Sequence, residues 1–144
     1  MGKFTQDTQV GHELPSIGWW FQVDQFKKGI EKTIHNDDEA AKREGLPAAV
    51  AVGPQVAALI FRQLLITFER GWVEGGRCEL TFRRPVYMPQ LCTARGVVTR
   101  REQTEGGVRL HCDVWIENEK GEKVIVGSAS GLVSARGNAA GVNG

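Results

Sequence analysis

Between Val108 and Ile116 the chain alternates: Val108, Leu110, Cys112, Val114 and Ile116 are apolar, and Arg109, His111 and Asp113 lie between them. A period of two puts the apolar set on one face of a half-buried strand. Two further extended stretches precede it, "RCELTFRRPVYM" and "LCTARGVVTRRE", divided at Pro89 and ended at "TEGG". Another, "KVIVGSASGLVS", follows across the turn "EKGE"; its small residues mark a place where something packs close. Upstream the period changes. "GPQVAALIFRQLLITFERG" starts on Gly53 and Pro54 and stops at Arg70 and Gly71, the start and stop signals of a helix. Val56, Leu59, Ile60 and Leu64 mark one face, while Ala57, Ala58, Phe61, Leu65 and Phe68 fill much of the rest. A helix apolar around most of its circumference predicts burial. Residues 37–44 predict a short helix capped by Asn36 or Asp37 and stopped by Gly45 and Pro47; residues 48–52 are an apolar connector, and residues 14–23 read as extended chain.

One long buried helix followed by a run of antiparallel strands predicts an α+β fold, a curved sheet wrapped around the helix. Such a sheet exposes its edge strands, and pairing them with a second copy predicts a homodimer. The 144 residues fit one domain, expected over 10–134, with 1–9 and 135–144 as loose tails. A net charge of +1 without a basic stripe argues against nucleic acid as a partner. Cys78, Cys92 and Cys112 are odd in number and lack metal-ligand spacing, which predicts reduced strand cysteines, a cytoplasmic setting and no metal. No apolar N-terminal run suggests a signal peptide or a membrane span.

Three stretches then carry a resemblance: "TIHNDDEAAKREGLPAAVAVGPQVAALIFRQLL", "FRRPVYMPQLCTARGVVT" and "CDVWIENEKGEKVIVGSA". In this order they resemble the MaoC-like hot-dog proteins, which include (R)-specific enoyl-CoA hydratases and acyl dehydratases. The likeness covers about 10–133 and implies a hot-dog fold, an acyl-thioester substrate carried by CoA or a carrier protein, and no cofactor. It also implies a site. His35 takes the histidine place of a pattern close to Asp-x-Asn-Pro-x-His, and Asp37 the acidic place two residues on. The Asn and Pro places fall on Lys32 and Thr33, and the catalytic Asp place falls on Ile30. The His-Gly that usually precedes the long helix reads Val52-Gly53.

Hydration of a conjugated thioester needs a base for the water, a proton for the α-carbon and a donor for the carbonyl oxygen as it gains enolate charge. His35 is the candidate proton carrier. Gly53, opening the long helix, is the candidate oxyanion donor, since helix N-termini present unpaired N–H groups and Pro54 has none to give. Glu31 is the nearest replacement for the missing Asp, and would neighbour His35 if residues 29–35 were helical. Trp19, Trp20 and Phe21 are candidate walls of an acyl tunnel or of a dimer seam. His111 is expected on the exposed sheet face and His12 in the N-terminal tail. The leading expectation is a hydratase or dehydratase using His35 with a non-standard partner. Ile30 favours an alternative, a non-catalytic subunit paired with an active hot-dog chain. A thioesterase ranks lower because the first helical turn offers Gln55 and no carboxylate, and a polyketide-type dehydratase or cyclase shares the same pocket logic.

Overall fold

The long helix forms where its signals place it. In the computed structural model, which describes residues 4–26 and 31–135, helix α2 spans Gly53–Phe68, after β1 (Ile17–Phe21), a 3₁₀ turn at Val23–Phe26 and α1 (Asp38–Arg43). Val52 caps α2 and Pro54 fits its first turn, where a missing N–H costs nothing. Val56, Leu59, Ile60, Gln63, Leu64, Thr67 and Phe68 are buried at three- and four-residue spacing. The opposite side differs from expectation: Phe61, Leu65 and Ile66 are 40 to 47% exposed, so within one chain the helix is buried on one face only. Its end also differs. The backbone turns at Glu69, with φ of 52°, and a short helix α3 (Arg70–Gly75) follows. Gly71 permits this second helix, because a Cβ there would lie 1.7 Å from the Leu132 carbonyl oxygen.

The strands are β2 (Arg77–Phe82), β3 (Gln90–Thr104), β4 (Gly107–Glu117) and β5 (Lys123–Ser134), in one antiparallel sheet of order β1-β3-β4-β5-β2. The alternation in β4 is realised: Val108, Leu110, Cys112, Val114 and Ile116 are all buried. With Cys92, Ala94 and Val98 from β3 and Val124, Ile125, Ala129 and Val133 from β5, they form the core against α2. The small residues of β5 admit the helix. A Cβ on Gly131 would lie 2.3 Å from Cγ of Phe68. Hairpin turns close at Gly106 and Gly121, both with positive φ, and Asn118 Oδ1 accepts the N–H groups of Lys120 and Glu122 in the second.

The expected looseness of 1–9 does not extend to residues 4–9. Phe4 is 2% exposed, packs edge-on to Phe68 and His12, and donates its N–H to the Thr67 carbonyl. Residues 11–14 then bond along β3, through Gly11 to Val98 and Leu14 to Gly96, which places His12 in an ordered segment. An aromatic side chain with core to cover outweighs a polar local composition. Residues 1–3 and 136–144, and Ile30 with its neighbours 27–29, lie outside the described residues.

Candidate active site

The connector between α1 and α2 is held on several sides. Asp37 accepts the Ala40 N–H at 2.9 Å and caps α1. Asp38, on the first turn of that helix, accepts the Ala49 N–H at 2.8 Å, eleven residues away. Val50 donates to the Ile34 carbonyl at 2.8 Å, Ala51 to Val86 at 2.9 Å, and Met88 to Ala49 at 2.9 Å. Residues 49–51 are thus a short ladder between the histidine turn and the chain after β2. Nearly every polar group of this backbone is satisfied, which fixes its carbonyls in space.

His35 uses one of them. Its Nδ1 lies 2.7 Å from the Val50 carbonyl oxygen. A carbonyl only accepts, so Nδ1 carries the hydrogen, and in the neutral ring Nε2 is left with its lone pair. The ring is half-buried and lines a cavity of about 340 Å³ together with Gly53, Val56, Phe82, Arg83 and Ile125. On its other side His35 borders an open depression that includes Arg43 and Glu44.

Gly53 stands at the start of α2. Pro54 has no N–H, and the N–H groups of Gln55 and Val56 both point to the Val52 carbonyl, at 3.0 and 3.1 Å. The Gly53 N–H is therefore the donor of this turn that finds no acceptor among the described residues, at the positive end of a sixteen-residue helix. The Phe82 ring covers it closely: a Cβ on Gly53 would be 3.2 Å from Cε2 of Phe82. Among the described residues, the ionisable ones on the cavity besides His35 are Arg83 and Arg84, and none is a carboxylate. Arg84 pairs with Glu122 at 3.3 Å.

His35 and Gly53 therefore share one hollow. The other sequence candidates do not line it. Glu31 is exposed in irregular chain, where its carbonyl accepts Asn36 Nδ2, so the helical neighbour geometry is absent. Trp19 and Trp20 are 46 and 42% exposed on the edge strand β1, and Phe21 is in the core. Asp37 and Val52 act as helix caps, and Gln55 is exposed on the first turn of α2. Sequence reasoning missed the Val50 carbonyl and the Phe82 cover. A backbone carbonyl has no side-chain signature, and only the aromatic end of β2 hinted at Phe82.

No family model and no curated protein matches the sequence. Solved structures do. The chain is similar to a MaoC-like dehydratase from Rhodospirillum rubrum, at 21% identity and a TM-score of 0.71 over 92% of this chain and 97% of that one. It is similar to the (R)-hydratase of A. caviae involved in PHA biosynthesis, at 18% identity and a TM-score of 0.68 over 88 and 97%. It is also similar to a chain of the ChsH1–ChsH2 complex of Mycobacterium tuberculosis, at 17% identity and a TM-score of 0.66 over 87 and 98%. With its five-stranded antiparallel sheet around one long helix, the chain has the hot-dog fold of the MaoC-like dehydratases and (R)-hydratases.

Proposed function

We propose that the protein adds water to, or removes it from, an acyl thioester, with His35 as the proton carrier and the Gly53 N–H as the donor to the thioester oxygen. One observation carries this reading: an imidazole whose Nδ1 is committed to a carbonyl and an unpaired helix N-terminal N–H line the same cavity. In the hydration direction, Nε2 of His35 takes a proton from water as the hydroxyl oxygen bonds to the β-carbon. The double-bond electrons move to the thioester oxygen, where the Gly53 N–H and the helix dipole stabilise the charge. The imidazolium then gives its proton to the α-carbon, and the ring returns to its starting state. Dehydration is the reverse. Apolar walls from Val56, Val86, Phe82 and Ile125 suit the acyl group.

A homodimer, through the open edges of β1 and β2, belongs to the same proposal. So does a second reading, favoured by the lack of a carboxylate among the described residues that line the cavity: a subunit that works beside another hot-dog chain supplying the acid. The test mixes the purified protein with enoyl-CoA thioesters and follows the loss of conjugated absorbance. Turnover by the protein alone, reduced about 10²–10⁴-fold in His35→Ala, is expected. Unchanged turnover in that variant would remove His35 from the mechanism. No turnover alone, but turnover once a second hot-dog chain is added, would select the subunit reading.

A further inference from the structure

The face of the sheet turned away from α2 carries a row of side chains that the cavity chemistry does not use. Strand register sets Arg100, His111, Ser130 and Arg77 side by side across β3, β4, β5 and β2. All four line an open groove of about 540 Å³, separate from the His35 cavity. Arg109 stands in the next row, between Glu102 and Leu132.

The charges here are unevenly matched. Arg100 and His111 share Glu102, whose Oε1 lies 2.8 Å from His111 Nε2 and 3.9 Å from Arg100 Nη1. Arg109 is only 8% exposed, yet its Nη1 donates to two neutral oxygens, Gly75 O at 2.8 Å and Ser130 Oγ at 2.9 Å. Neither Arg109 nor Arg77 bonds to a carboxylate among the described residues. A buried guanidinium ordinarily rests on a counter-charge, because desolvating a cation without one is costly. Burial, and then the charge of Arg77, work against the charged form of Arg109, while the charge of Glu102, its register partner on β3, supports it. Ser130 is 3% exposed; its oxygen accepts from Arg109, and its own hydrogen meets no acceptor among the described residues. The carboxylates on the groove, Glu79 and Asp113, flank Ser128 in a different row. The Arg77 end of the groove offers the Arg77 guanidinium and the Ser130 hydroxyl, and Arg109, which does not line the groove, is bonded behind Ser130.

We propose that this end of the groove binds a phosphate group, held by Arg77 and the Ser130 hydroxyl, with Arg109 fixing the Ser130 oxygen from behind. A planar guanidinium fork suits a tetrahedral oxyanion, and the bound charge would compensate Arg77, which the fold sets beside Arg109.

The test titrates the intact protein with inorganic phosphate, and in a second arm with glycerol 3-phosphate, at constant ionic strength made up with chloride. Calorimetry and the thermal midpoint are read. Saturable binding with a rise in midpoint is expected, and Arg77→Gln, at an exposed strand start, weakens it about tenfold. Ser130→Ala weakens it less. A preference between the arms tells free phosphate from an esterified group. A midpoint that responds equally to phosphate and chloride, or an Arg77→Gln variant that binds as the parent does, would overturn the site.

Discussion

Gly53 is the residue whose side chain, or lack of one, decides most at the cavity. The space beside it belongs to the Phe82 ring, 3.2 Å from where a Cβ would stand. That is tighter than comfortable contact, and the ring is more than half exposed, so it has room to shift. Gly53→Ala is therefore expected to fold normally while pushing Phe82 into the approach of the substrate carbonyl. Its kcat/KM should fall about tenfold or more, since small misplacements at an oxyanion donor are expensive. Gly53→Ala combined with Phe82→Ala should recover part of that loss. Equal kinetics in parent and Gly53→Ala would mean that Phe82 can give way without entering the approach of the substrate carbonyl. The cysteines call for a different measurement. Burial pushes the thiol of Cys78 up to about 11 and those of Cys92 and Cys112 up to about 12. Near pH 8 almost no thiolate exists at any of them, and the thiolate is the reactive form. A disulfide reagent should find no fast-reacting group in the native protein and three after denaturation.

At the scale of elements, the contact between α2 and β5 holds the sheet to the helix. Phe68 fills the space that Gly131 leaves, and Phe4 closes over it at a ring distance of 5.6 Å. Phe68→Ala should cost about 3–5 kcal/mol in urea unfolding. Gly131→Ala overpacks the same point and should also destabilise. The two changes relieve one another, so the double variant should lose less than the sum of the singles; strict additivity would show that the two positions are not coupled. The elements were readable to different degrees. The Asp37 cap, the Gly53-Pro54 start of α2, the β4 alternation and both Gly turns follow from local chemistry. The end of α2 does not. Arg70 and Gly71 look like a stop signal, yet the chain breaks at Glu69 and resumes as α3, because Gly71 docks on the backbone of β5.

For the molecule as a whole, acid stability reports on the hairpin ion pairs. Hydrogen bonding to His111, ahead of the Arg100 charge, holds Glu102 below the usual carboxylate range. Asn118 Nδ2, then Arg84, does the same for Glu122. A carboxylate with a depressed folded-state value stabilises the protein above its unfolded value and loses that contribution as pH falls through the folded one. The thermal midpoint should therefore hold steady from neutral pH and decline once the pH drops below 4.5. The decline should be shallower in Glu102→Gln with Glu122→Gln. Both side chains are 40 to 47% exposed, so the difference between parent and variant will be small and will shrink with added salt.

The class of the fold was legible along the chain, because a period of two, a period of 3.6 and their turn residues are written there. The sequence also pointed to His35, through the resemblance its segment carries, and to Gly53, through that resemblance and the signals that open a helix there. Which groups face one another was settled by the packing. It set Val50 O against Nδ1, laid Phe82 over the helix start, left Glu31, Trp19 and Trp20 off the cavity, and drew Phe4 into the core. Each of these depends on contacts between residues distant along the chain or on backbone carbonyls that carry no side-chain mark, and local patterns hold no record of either.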